Sequence, residues 1–138
     1  MPDNPKKQAL DFVREYPVSH LATVENGEPW LRVMQCPRVD DDFTVWYATS
    51  ASSNKIRHIR SDPNVCTVFY DKAGYVRVKG RAEVVTDNKA KSDLWEEDWS
   101  RYWPNGMGDP DFVLIKITPQ FVDFVDLTGE NPEPIRII

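Results

Sequence analysis

One cation, Arg32, stands inside the otherwise apolar run Trp30-Leu31-Arg32-Val33-Met34, and a second, Lys55, opens an expected helix. Between them lie Thr49, Ser50, Ser52 and Ser53, hydroxyls at the point where a strand gives way to that helix. Free N–H groups at a helix N-terminus carry partial positive charge and are natural phosphate sites. Arginine adds a planar two-pronged grip, and lysine a mobile point charge. The chemistry such a set supports is the holding of a phosphate attached to a flat, mostly apolar ring system. Each part also has a plainer reading: Arg32 on the solvent face of its strand, Lys55 as a helix-surface lysine, and the serines as an N-cap.

The elements that must position these residues follow from local pattern. Pro5 to Glu15 reads as a helix with Asn4 as N-cap and Pro5 at the first helical position. Ser19 to Glu25 and Pro29 to Val39 read as two strands joined by Asn26-Gly27, a type I′ hairpin signal. A third strand spans Phe43 to Thr49, and a short helix spans Ser52 to Arg60. Val65 to Tyr70 and the alternating run Tyr75 to Val84 make two more strands, with Gly80 marking a bulge or a close backbone approach. Asp87 caps a helix to about Trp99, on which Trp95 and Trp99 share a face as core or interface residues. A shaped loop, Trp103 to Pro110, precedes a last strand, Phe112 to Thr118, which Pro119 interrupts and Phe121 to Val125 resumes. The polar, Pro-rich tail from Thr128 is expected to be loosely held.

These elements give a mainly β (α+β) fold: a six-stranded antiparallel barrel with short peripheral helices, in one domain over residues 1–138. The first sixteen residues carry the N-terminal helix. A net charge of -5, with Lys and Arg scattered, argues against a nucleic-acid partner. No apolar run approaches the roughly 20 residues of a membrane span, and the first twenty residues show no signal peptide, so a cytoplasmic protein is expected. Cys36 and Cys66 fall in expected strands, lack a CxxC pattern and read as small buried hydrophobes. His20 and His58 have no partner at metal-ligand spacing.

In order and spacing the chain resembles the pyridoxamine 5'-phosphate oxidase-like, FMN-binding split-barrel superfamily, and within it the short general stress proteins. The resemblance rests on His20-Leu21-Ala22-Thr23-Val24 with Asn26-Gly27, on Leu31-Arg32-Val33-Met34, and on Trp46-Tyr47-Ala48-Thr49 with Ser53-Asn54-Lys55. It continues through Ser61-Asp62-Pro63-Asn64-Val65, the Val78 to Val84 strand, and Trp103-Pro104-Asn105-Gly106 with Asp109-Pro110. It implies a homodimer with FMN at the interface. Arg32 and Lys55 would hold the phosphate, assisted by Ser50, Ser53 or Asn54, with Val33 and Met34 beside the isoalloxazine edge. Ala48 and Thr49 would lie under the ring or ribityl chain, and Tyr75 near the ribityl or phosphate region. Trp103 would cover the ring from the partner subunit or pack the dimer interface.

Two departures narrow what the resemblance implies. The chain ends in Glu130-Asn131-Pro132-Glu133-Pro134-Ile135-Arg136-Ile137-Ile138, without the arginine- and tryptophan-bearing segment that grips substrate in the true oxidases. Asn54 also stands where the oxidases often carry an arginine. Vitamin B6 oxidation is therefore not expected. The leading expectation is an FMN-dependent oxidoreductase acting on a small-molecule donor or acceptor; the alternative is a non-catalytic flavin-binding stress, storage or redox-sensor protein. Relatives of this barrel also take a deazaflavin or haem. No extra basic cluster suits the first, and only His20 and His58 are candidate ligands for the second. A cofactor-free interaction barrel would leave Arg32, Ser53 and Lys55 unexplained.

Overall fold

The computed structural model describes residues 4–138. Helix α1, Pro5–Glu15, starts where its sequence dictates: the Asn4 side chain accepts the N–H groups of Lys6 and Lys7, and Pro5 occupies the first turn. Strands β1 (Val18–Glu25) and β2 (Glu28–Gln35) are joined by Asn26 and Gly27, whose φ angles of 54° and 77° suit a type I′ turn. Then come β3 (Arg38–Val39), β4 (Val45–Ser50), α2 (Asn54–Ser61), β5 (Asn64–Asp71), β6 (Gly74–Val85) and α3 (Asn88–Leu94). Two 3-10 turns, Glu97–Arg101 and Gly106–Gly108, lead into β7 (Phe112–Asp126), and β8 (Ile135–Arg136) closes the chain.

The strands form one antiparallel sheet of eight, in the order β2-β1-β5-β6-β7-β4-β3, with β8 added to β7. Eight strands therefore replace the expected six, for two local reasons. The anticipated strand from Pro29 to Val39 breaks at Cys36-Pro37: Pro37 has no N–H to donate, and Cys36 gives its own to the Pro17 carbonyl at 2.8 Å. Across that break the chain changes partner, from β1 to β4. The second addition is β8, formed within the tail expected to be loose.

The end strands β2 and β3 are successive in sequence. Three residue steps span at most about 11 Å, so the two ends of the sheet must lie side by side. The sheet thus curls back on itself and closes through the covalent chain rather than through a hydrogen-bonded ladder. It is split at that seam. Its lining is fully buried at Leu21, Val45, Tyr47, Phe69, Val76, Val78, Ile115, Ile117 and Val122. Inside, the Tyr47 hydroxyl meets the Ser19 hydroxyl at 2.6 Å and the Thr67 hydroxyl at 2.7 Å, tying β4 to β1 and β5. Ser19 Oγ in turn donates to the Met34 carbonyl, bracing β2.

Three boundaries differ from the local pattern. Phe43 is not in a strand: with φ of 68° and its N–H on the Asp40 carbonyl, it belongs to the turn before β4. The helix expected to reach Trp99 stops at Leu94. Continuing it would set Glu96, Glu97 and Asp98 against the negative end of the helix dipole; the break instead places Glu97 and Asp98 in the first turn of a new 3-10 element. Trp95 and Trp99 therefore share no helix face, yet their rings still meet edge-on at 5.9 Å.

The third difference is β7, which runs unbroken through Pro119. Lys79 pairs with Phe121 and Gly80 with Pro119, so Gln120 is the extra residue of a bulge that admits the proline. The expected bulge or close approach at Gly80 is thus present. A Cβ on Gly80 would sit 2.2 Å from the Thr118 carbonyl oxygen, and backbone on both strands has no room to yield. Gly80→Ala is expected to cost about 2–3 kcal/mol in urea unfolding. Wild-type stability for that variant would refute the contact.

Candidate functional site

The split in the sheet borders a cavity of about 610 Å³, lined by Arg32, Val33 and Met34 of β2, Ala48 of β4, Lys55 of α2, and the side chains of Trp99 and Trp103. Arg14, Glu96, Asp98, Arg101 and Tyr102 also line it. Six residues singled out from sequence thus meet here: Arg32, Val33, Met34, Ala48, Lys55 and Trp103. Thr49 and Ser50 sit one bond behind, since the Lys55 ammonium donates to Thr49 Oγ1 at 3.1 Å and the Trp103 indole donates to Ser50 Oγ at 3.2 Å.

Arg32 is held on one side only. Its Nη1 donates to the Leu21 carbonyl (3.1 Å), the Trp30 carbonyl (3.3 Å) and Thr23 Oγ1 (2.7 Å). Nε and Nη2 have no hydrogen-bond partner among the described residues. That is the same edge with which Arg57 grips Glu25 and Arg77 grips Asp123 elsewhere in this chain. Lys55 likewise uses one of its donors, and among the described residues neither cation forms an ion pair. Burial holds both below their usual pKa values, and for Lys55 the nearby Arg32 charge adds to the effect. The two cations line one cavity together, and the carboxylates that also line it, Glu96 and Asp98, pair with neither.

Ser53 does not line the cavity. It is the N-cap of α2, yet its side chain makes no capping bond, and its buried hydroxyl has no hydrogen-bond partner. The usual N-cap role for a serine here is therefore not the one this hydroxyl plays. Asn54 turns away from the cavity, its carbonyl oxygen accepting from Arg57 at 3.1 Å.

Tyr75 is separate: on β6 it pairs with Tyr70 of β5 and Val125 of β7, and it does not line this cavity. Trp103 belongs to the cavity of its own chain, where it is buried against Phe112 with ring centroids 4.9 Å apart. Trp95 and Trp99 join Trp103, Phe112, Leu94 and Leu114 in a second apolar cluster. Trp99 thus serves both as packing and as cavity wall.

Several site residues escaped the sequence reading. Thr23 and His58 bond to each other at 2.8 Å behind Arg32, so His58 supports the site through Thr23. The period-two alternation that buries Leu21 was a usable sign for Thr23; nothing local announced its partner. Asp111 is the second omission. Its carboxylate accepts the Ser52 N–H at 3.0 Å and its carbonyl the Ala51 N–H at 2.7 Å, fixing the turn that leads into α2. Cys36 borders the cavity as a thiol whose pKa burial pushes up to about 12, which removes it as a nucleophile.

Residues 5–126 match the pyridoxamine 5'-phosphate oxidase family, and the chain belongs to it. It is 29% identical to general stress protein 26 of Bacillus subtilis (strain 168) over 137 residues, 96% of each chain. The crystal structure of general stress protein 26 from Bacillus anthracis str. Sterne superposes with a TM-score of 0.80 at 28% identity, over 96% of this chain and 98% of that one. More distant structures share the fold alone. One is a pyridoxamine 5'-phosphate oxidase-related, FMN binding protein from Nostoc punctiforme PCC 73102 (TM-score 0.72, 18% identity, 96% of this chain and 94% of that one). Another is a heme binding protein from Mycobacterium smegmatis (TM-score 0.75, 16% identity, 99% of this chain and 59% of that one).

The bond from Ser52 to Asp111 holds that carboxyl below the ordinary carboxylate range. Because the folded value is the lower one, the tether stabilises the fold above the unfolded value near about pH 4 and is lost as pH falls through the folded value. The stability gap between wild type and Asp111→Asn, read from thermal unfolding across pH, should be full at neutral pH and shrink below about pH 4. A gap that stays constant into that acid range would rule the tether out.

Proposed function

We propose that this chain binds FMN, with its phosphate between Arg32, Lys55 and Ser53, and acts as a flavin-dependent oxidoreductase on a small molecule. The observation that carries the reading is the unmatched donor set at one end of an aromatic-walled cavity. The free Nε/Nη2 edge of Arg32 and the spare donors of Lys55, both residues of the cavity lining, suit one dianion, and the unpartnered Ser53 hydroxyl lies at the head of the helix that carries Lys55. The first turn of α2 adds its own N–H groups. Family membership and the FMN binding protein of the same fold support the choice of ligand. Neither His20 nor His58 lines the cavity, which favours a flavin over a haem here.

When bound, the isoalloxazine supplies the redox chemistry, and the protein supplies binding, orientation and electrostatics. Val33 and Met34 lie along the cavity edge of β2, where their backbone would border the ring. Ala48 leaves space where a longer side chain would fill the floor. Trp99 and Trp103 wall the cavity and keep water from that side. In this reading two chains pair around the site, and Tyr75 enters from the partner. The exposed apolar residues of β2 (Leu31 is 67% exposed and Val33 63%) support that pairing. Such a protein works in the cytoplasm.

A non-catalytic flavin store or sensor is the second reading. It is favoured by the cavity wall itself, where the thiol of Cys36 stays protonated and no histidine is present.

The purified protein should show flavin absorbance, and Arg32→Ala or Lys55→Ala should each weaken added FMN by about 10- to 100-fold, while riboflavin, lacking the phosphate, is barely affected. A colourless wild type that refuses added FMN would overturn the flavin reading. Bound flavin that turns over with none of a broad panel of donors and acceptors would leave the store or sensor.

A further inference from the structure

Behind Arg32 lies a chain of polar contacts, buried at Thr23 and His58 and more open at Glu25 and Arg57. From it we infer that Thr23 and His58 are positioning residues that make the site select a phosphorylated ligand over its unphosphorylated form. The inference rests on the phosphate reading above.

The direction of each proton follows from the donors present. Arg32 Nη1 can only donate, so at 2.7 Å the Thr23 hydroxyl oxygen is its acceptor. Thr23 is fully buried and its own proton needs an acceptor; His58 Nδ1, 2.8 Å away, is placed to accept it. That places the ring proton on Nε2, which lies 3.7 Å from Glu25 Oε1, close but beyond hydrogen-bond distance. Glu25 is fixed in turn by Arg57, at 2.7 Å from Nε and 3.3 Å from Nη2. Arg57 Nη1 then returns to Asn54 Oδ1 at the head of α2. His58 itself is 2% exposed, with the Trp30 ring 6.0 Å from its own.

The circuit joins the two halves of the site. It runs from Arg32 on β2, through β1, to α2, where Ser53 and Lys55 sit beside Asn54. By occupying Nη1, Thr23 restrains the guanidinium from rotating about its stem and leaves the Nε/Nη2 edge free for a ligand. Without the Thr23 acceptor, Nη1 keeps only backbone carbonyls, and the long side chain regains rotamers that point this edge elsewhere. A phosphate then loses its two-pronged partner, whereas a ring held by Met34, Ala48 and Trp103 loses nothing. Discrimination between the two ligands therefore depends on residues that touch neither.

The test compares FMN and riboflavin affinities by flavin fluorescence for wild type, Thr23→Val, Thr23→Ser and His58→Leu, with Thr23→Val repeated on Arg32→Ala. Thr23→Val and His58→Leu should weaken FMN by about tenfold or more with riboflavin unchanged, and Thr23→Ser, which keeps the hydroxyl, should restore FMN. On Arg32→Ala, Thr23→Val should add nothing. Equal losses for both flavins, no loss for Thr23→Val, or additive losses would overturn the inference. A wild type that binds neither flavin would sink the reading beneath it, and the circuit is then decided by nitrogen NMR of His58. An unprotonated Nδ1 whose signal moves in Thr23→Val supports the circuit, and a protonated Nδ1 refutes it.

Discussion

The arrangement of this molecule follows from one constraint at Cys36-Pro37, where a strand that begins on one edge of the sheet must resume on the other. Pro37 cannot continue a ladder, and the chain crosses from β1 to β4 within a few residues. A sheet whose ends are tethered so closely has to curl. Curling creates the interior that Tyr47, Ser19 and Thr67 fill with a closed set of hydroxyl bonds. It also leaves β2 paired along one side only, and the cavity opens beside that half-paired strand. Barrel closure and cavity are thus two results of the same break.

The cavity places Arg32 and Lys55 together without an ion-pair partner among the described residues, although Glu96 and Asp98 also line it. Burial, and then the nearby Arg32 charge, disfavour the charged form of Lys55, so placing the two cations together in a partly buried space works against folding. Proteins keep such strain where surrounding structure over-determines it, and here the supports are identifiable. Thr23 and two carbonyls secure the arginine, Thr49 secures the lysine, and Asp111 secures the turn between β4 and α2. An anion arriving in the gap would relieve the repulsion, and by mass action would raise the stability of the whole domain.

What could be read from the sequence was what short stretches of chain decide by themselves. The Asn26-Gly27 turn, the Asn4-Pro5 cap, the bulge at Gly80 and the pairing of Arg32 with Lys55 around a hydroxyl cluster all carry local signatures, and each is present in the fold. Boundaries set by competition were less legible. The end of α3 depended on where three acidic residues fell relative to a helix dipole, and the continuity of β7 through Pro119 depended on a bulge shared with β6. The supporting residues of the site were hidden for a plainer reason. Thr23 and His58 are 35 residues apart, and Ser52 and Asp111 are 59 apart, so the pairs exist only once the sheet has closed. Tyr75 lies away from the cavity of its own chain, at a place fixed by the register of β5, β6 and β7.

The unpaired side of β2 has a consequence for the life of the chain before any ligand arrives. Trp30, Leu31 and Val33 are exposed on a strand whose outer backbone groups have no partner among the described residues, so the strand is a template on which another extended chain can add. Sheet proteins guard such edges with charges, prolines or bulges, and this strand offers only Glu28, Pro29 and Arg32 against its apolar run. Arg32 is drawn inward by its bonds to Leu21 and Thr23, which weakens its use as a guard. A newly made copy therefore carries an aggregation-prone edge until that edge is covered, and the yield of folded protein at high expression depends on how soon that happens.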